Sequence, residues 1–171
     1  TNGSFFDIIG FEMLKKYKEQ IHSLPLVAED LGVITPEVEK LRDIFHLPGM
    51  KVLQFAFGDD LEENAYLPHN YPENCIVYTG THDNNTTPGW YKNDATDKDK
   101  WNLGAYFQKE INADNVTWNL IELALSSRAN VAIIATQDLL ELDTSARMNK
   151  PGTQYGNWEW RLEKDQLDQK H

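Results

Sequence analysis

Cysteine is nearly absent from this chain. Cys75 stands alone among 171 residues. That excludes a disulfide framework and a cysteine-rich metal site, and it points to a cytoplasmic setting. Long apolar runs are missing too. No stretch approaches the ~18 residues of a membrane span, and no basic-then-apolar leader is visible, so neither a membrane helix nor a signal peptide is expected. Bases are few. Sixteen Lys and Arg face 27 Asp and Glu, a formal net charge of -11. A nucleic-acid or anionic-membrane surface needs clustered Lys and Arg to neutralise phosphates, so neither partner is expected. The acid surplus fits a neutral or cationic ligand, although surplus acids more often simply hydrate a surface. The glycines make no phosphate cradle, since neither GxGxxG nor a Walker pattern occurs. Internal repeats, low-complexity tracts and linkers are also missing.

What is present is an ordinary globular mix, 40% hydrophobic and 25% charged, in a chain long enough to bury a core. Phe5, Ile9, Met13, Tyr17 and Ile21 recur at helical spacing, with Ser4 and Asp7 as a capping pair. "PLVA" at 25–28 then predicts a short buried strand. Thr35-Pro36 is an N-cap and first-position pair, with Glu37 and Glu39 at the positive helix end. Val38, Leu41, Ile44 and Phe45 form that helix's apolar stripe. "KVLQFAF" at 51–57, "CIVYTG" at 75–80 and "VAIIAT" at 131–136 predict three more strands. A turn-rich loop spans 58–74, long enough to be functional or flexible. A second loop, "THDNNTTPGWY", leads into helices near 97–111 and 115–127. The tail "ARMNKPGTQYGNWEWR" reads as irregular.

Apolar strand runs that alternate with helices predict an α/β fold with a parallel sheet covered on both faces. Four such units fit an open doubly wound sheet or half of an eight-stranded barrel. Chemistry-bearing residues follow the strands: Glu29 and Asp30 after the first, His82 and Asp83 after the third, Gln137 and Asp138 after the fourth. Barrel active sites sit at the carboxyl ends of strands, so the pattern predicts one shared site on one face.

Glu29 and Asp83 are the central pair. Each is expected at a sheet edge with little water, where burial raises an acid's pKa and hydrogen bonds hold it ionised. Two carboxylates flanking one bond are the basis of glycoside hydrolysis. An acid after a strand also serves as a helix cap or a loop acceptor, and spacing alone leaves both readings open. His82 can donate to a hydroxyl, act as a base, or tie down its own turn. A metal set of Glu29, His69, His82 and Asp83 lacks any anchoring His-x-His, His-Glu-x-x-His or Cys pair. Tyr66, Tyr71, Trp90, Tyr91, Tyr155, Trp158 and Trp160 fall in predicted loops, where they can stack on sugar rings or pack the loops down. Trp101 and Trp118 fall on predicted helices and are expected in the core.

The strings "AEDLGVITPEVEKLRDIFHLPGMKVLQFAF", "LPHNYPEN", "VYTGTHDNNTTPGWY" and "ARMNKPGTQYGNWEWR" resemble those of the 4-alpha-glucanotransferases, the amylomaltases or disproportionating enzymes of glycoside hydrolase family 77. The resemblance is clearest over 24–91 and 145–161. It implies a (β/α)8 barrel and transfer of α-1,4-glucan segments, with retention, to glucose or maltooligosaccharide acceptors. It assigns Glu29 of "AEDLG" as general acid/base and Asp83 of "THDN" as the acid that steadies the transition state. His82 would bind the glucose ring at the cleavage point, and Asn157 of "GNWEW" would also contact sugar. Asn84, Gln54 and His69 would support them. No cofactor is implied.

One departure matters. The family's nucleophile is an Asp within an Arg-x-Asp-His type motif. The arginines here are Arg42, Arg128, Arg147 and Arg161, and none lies two before an Asp. The chain, 1–171, is therefore expected to be a single partial domain, the carboxyl-terminal half of the barrel, inactive in isolation. The raw sheet edges of a half-barrel are expected to favour self-association. Competing readings are a non-catalytic glucan-binding fragment and a barrel metal hydrolase.

Overall fold

The structure, a computed structural model, describes residues 5–22, 25–58, 60–164 and 166–167, with side chains from Gly10 onward. The expected Ser4–Asp7 cap and the side chains of Phe5 and Ile9 lie outside the described residues. Helix α1 (Phe5–Ile21) forms where the apolar spacing predicts it. Helix α2 (Pro36–Ile44) starts at the expected pair. Thr35 is extended, and its carbonyl accepts from the N–H of Val38 and Glu39 at 3.0 and 3.2 Å. Its hydroxyl makes no cap bond. Phe11 of α1 meets Phe45 at a ring separation of 5.3 Å, which joins the two helices. Much of their apolar stripe stays open: Met13, Tyr17, Ile21, Val38 and Ile44 are all exposed.

Three parallel strands follow, in the order β1 (Gly49–Val52), β2 (Cys75–Tyr78) and β3 (Val131–Ile133). Met50 pairs with Ile76, and Tyr78 pairs with Ile133. The first expected strand, 25–28, does not form. Pro25 has no N–H for a ladder. A single bond, from Ala28 N–H to the Pro48 carbonyl at 2.9 Å, ties the segment to the chain entering β1. The other strands are shorter than expected. After Val52 the chain tightens into a 3-10 turn (Leu53–Phe55) instead of running on to Phe57.

Between β2 and β3 run helices α3 (Thr87–Asn93), α4 (Asp97–Phe107) and α5 (Val116–Leu125), with short α6 (Thr136–Leu139) after β3. Helix α3 lies inside a predicted loop. The Thr86 hydroxyl caps it by accepting from Gly89 N–H, and Pro88 occupies the first turn, where its missing N–H costs nothing. Trp90 and Tyr91 are thus helical, and Trp90 is buried. Helix α4 carries a full capping box between Thr96 and Asp99.

Helices α3 to α5 pack on one sheet face. Val77 meets Leu53, Phe57, Leu67, Trp90, Leu103, Val116 and Leu120 in one core. Tyr71, expected in a loop, is part of that core, and burial raises its phenol well above the usual range. Trp101 and Trp118 are exposed rather than buried, because the covered faces of α4 and α5 belong to Leu103, Val116 and Leu120. The opposite sheet face carries Met50, Tyr78 and Ile133 and looks into an open cleft. The expectation of two covered faces therefore fails on this side among the described residues. No helix among them is long and apolar enough to cross a membrane.

Candidate active site

The cleft encloses about 1000 Å³. Glu29, His82, Asp83, Gln137 and Asp138 all line it, which is the single shared site that the strand-end pattern predicts. Tyr66, Arg147 and Trp158 line it too.

Glu29 sits at the apex of a γ-turn. Asp30 N–H donates to the Ala28 carbonyl at 3.0 Å across it, and Glu29 is not among the residues with positive φ, so the turn is the relaxed, inverse form. Glu29 is exposed, contrary to the expected low-water setting. The segment before it is not sandwiched in a sheet: Leu26 and Val27 are open as well. Gly32, at φ +88, then turns the chain toward α2, in a backbone region where a Cβ is penalised.

Asp30 does the opposite of its neighbour. Its side chain is only 6% exposed and pairs with Arg42 Nη1 at 2.6 Å. It also accepts from Met50 N–H at 2.7 Å. Asp30 therefore pins the Glu29 turn to both α2 and β1. Its carboxylate occupies the space a Cβ on Gly49 would need. Removing it as Asp30→Ala is expected to cost about 2 kcal/mol, since charged hydrogen bonds are lost while Arg42 keeps Asp43. Urea unfolding of the variant measures this. A midpoint equal to wild type would show that the anchor is unimportant.

His82 and Asp83 hang on the loop between β2 and α3. The Asn84 carboxamide oxygen accepts from the N–H and hydroxyl of Thr81 at 2.9 and 2.8 Å, which shapes that turn. The irregular tail clasps it from the other side. Arg147 Nη2 donates to the Asp83 carbonyl at 2.6 Å. Asn149 Nδ2 donates to Asp83 Oδ1 at 2.6 Å, and Asn149 N–H donates to the His82 carbonyl at 3.1 Å. Asp83 Oδ1 also lies 3.3 Å from His82 Nε2. Both of these contacts fall on Oδ1, and among the described residues neither reaches the second carboxylate oxygen, Oδ2. Trp158 leans on His82, with ring centroids 5.1 Å apart. Its backbone is left-handed, φ +63, which is costly for a bulky residue. A 2.7 Å bond from its N–H to the Met148 carbonyl holds it there.

Asn157 does not line the cleft. Its side chain accepts from Lys150 N–H at 2.8 Å and donates to the carbonyl and hydroxyl of Thr153 at 3.1 and 2.9 Å. It closes the loop that delivers Trp158. Asp138 is 1% exposed. Burial pushes its carboxyl above the usual range, while bonds from Thr79 and Thr87 pull it back. Arg147 and Asn149 were invisible to sequence reasoning, because their bonds to Asp83 span 64 and 66 residues and leave no local spacing.

The metal set is not gathered. His69 lies against Tyr106, bonded to its hydroxyl at 3.2 Å, and is absent from the cleft lining. Among the described residues no three His, Cys, Asp or Glu side chains converge as ligands.

Residues 1–167 match the family described as 4-alpha-glucanotransferase, glycoside hydrolase 77. The chain is 49% identical over 180 residues to a 4-alpha-glucanotransferase of Thermus thermophilus, covering all of this chain and 35% of that protein. It is 48% identical over 144 residues to the chloroplastic/amyloplastic 4-alpha-glucanotransferase of Solanum tuberosum, covering 84% of this chain and 24% of that protein. Amylomaltase from Streptococcus agalactiae, solved in complex with acarbose, superposes with a TM-score of 0.85 at 37% identity, over 92% of this chain and 32% of that one. The chain thus spans between about a quarter and a third of the length of these relatives, and its three parallel strands form part of an amylomaltase-type TIM barrel. On the extent of the match and the identity of its relatives, the chain belongs to the 4-alpha-glucanotransferase family, glycoside hydrolase 77.

Proposed function

We propose that this chain supplies the acid/base side of a retaining transfer of α-1,4-glucan segments to glucose or maltooligosaccharides. The observation that carries the reading is the gathering of Glu29, His82 and Asp83 in one cleft. Glu29 protonates the leaving glycosidic oxygen and then takes the proton of the acceptor hydroxyl. Its exposure leaves that route open. Asp83 Oδ2 faces developing positive charge at the sugar ring, while Oδ1 is held by Asn149. His82, braced by Trp158, donates to a ring hydroxyl. Asn157 contributes through the loop it closes behind Trp158.

The covalent step needs a nucleophile about 5 Å from the acid/base. Asp138 cannot serve, because its oxygens accept from the amide of Thr87 and the hydroxyls of Thr79 and Thr87. We place the nucleophile on sequence outside this chain, with the 171 residues as the carboxyl-terminal half of the barrel. Disproportionation of maltotriose tests this directly. The full-length protein is expected to turn over, and the 171 residues alone are not. Turnover above blank by the short chain would sink the division of labour.

The same reading covers starch and glycogen metabolism and a cytoplasmic setting, supported by a lone, buried, free thiol at Cys75. It also covers self-association of the isolated chain. Strands β1 and β3 are sheet edges, and open edges recruit further strands. A monomer by light scattering would count against that.

A further inference from the structure

The loop that carries His82 and Asp83 begins at Thr79 and ends at Thr87. Both ends are held by one buried carboxylate. Asp138 Oδ1 accepts from Thr87 N–H at 2.6 Å. Asp138 Oδ2 accepts from the Thr79 hydroxyl at 2.6 Å and the Thr87 hydroxyl at 2.9 Å. Both threonines are fully buried. Thr79 is the residue that leaves β2, and Thr87 is the first of α3. Asp138 itself rides on α6, directly after β3. A single side chain therefore bridges three elements and fixes the span of the loop. The reacting groups, by contrast, are partly exposed, so the loop cannot hold its shape by burial alone.

We infer that Asp138 is a positioning residue, which sets the distance between β2 and α3 and so places His82 and Asp83 at the cleft. It touches no substrate, because it is wrapped by its donors. Its effect is transmitted through the two threonines. Displacing a reacting group by about 1 Å can cost ~100-fold in rate, so the clasp has leverage on chemistry without taking part in it. A carboxylate suits this job better than an amide. An Asn could accept at only one of its two heads: with its oxygen on the Thr87 amide, its NH2 would face the Thr79 and Thr87 hydroxyls, which would have to turn, accept instead of donate and leave their own protons without this acceptor.

The kinetic side of the inference rests on the proposed glucan transfer. The structural side does not. In the full-length protein, Asp138→Asn is expected to lower kcat for maltotriose disproportionation about 30-fold, with KM within about 2-fold. Hydrogen exchange is expected to speed up in 80–86 and stay unchanged in 75–78 and 116–125. Thr79→Val should show the same pattern more weakly, and Thr79→Ser, which keeps the hydroxyl, should restore both readouts. If Asp138→Asn does not fold, the two Thr79 variants decide. Exchange that accelerates equally everywhere, or a loop that exchanges as in wild type, overturns the assignment. So does an unchanged kcat in an active enzyme. If the wild-type full-length protein transfers no glucan, the functional reading fails, and the exchange pattern alone judges Asp138.

Discussion

Glu29→Gln in the full-length protein is expected to lower glucan transfer by about 1000-fold, within the 10²–10⁴ range of general acid–base catalysis. Gln has nearly the same shape and fills the same exposed apex, so folding and glucan binding should persist. What is lost is the proton. A glucosyl donor whose leaving group needs no protonation, such as a fluoride, bypasses the first half of Glu29's work. Its first step should lose far less than the first step with maltotriose. The second half, deprotonation of an acceptor hydroxyl, remains impaired with either donor. Stopped-flow release of fluoride against steady-state transfer separates the two. A Gln variant within 10-fold of wild type with maltotriose would remove Glu29 from the mechanism.

Asp83→Asn is expected to lower kcat by ~10²–10³, the cost of losing one preorganised electrostatic partner of the transition state. The clasp explains why the substitution is severe. Asn149 Nδ2 donates to Oδ1, so the variant amide must turn its oxygen that way. Its NH2 group then occupies the place of Oδ2 and points a donor at developing positive charge. The ground state carries no such charge, so KM should move little while kcat falls. Equal losses in binding and turnover would make Asp83 a plain sugar contact. Circular dichroism should show an unchanged fold, since Arg147 holds the Asp83 backbone carbonyl rather than its carboxylate.

Much of this was legible in the sequence, and the reasons differ by element. Helix α2 announced itself because Thr35-Pro36 is a local signal whose geometry needs no tertiary partner. Strands β1 to β3 showed as apolar runs, yet each ended early, since an apolar run does not mark where ladder bonds stop. Segment 25–28 read as a strand on composition alone, although strands are made by partners and the structure gives it almost none. Helix α3 was hidden by Pro88 and Gly89, which read as breakers and instead sit in a first turn that tolerates both. Trp101 and Trp118 were misplaced because helical spacing does not reveal which face is covered. Within the site, Glu29, His82 and Asp83 were legible by resemblance to family motifs. Arg147, Asn149 and the clasp of Asp138 were not legible. They depend on pairs brought together by the fold across long stretches of chain.

The turn at Glu29 has a consequence for how this stretch can vary in length. Asp30 is fastened by two strong bonds, and the Ala28 carbonyl closes a three-residue ring across the apex. Whichever residue precedes the fastened acid is the one presented to the cleft. Losing one residue ahead of Ala28 would change nothing at the apex, because the ring is counted back from Asp30. Inserting one residue between Glu29 and Asp30 would hand the apex to the newcomer and draw Glu29 back along the chain. The proton donor is thus addressed by its distance from an anchor, and the spacing between those two acids is the one length in the segment that cannot drift.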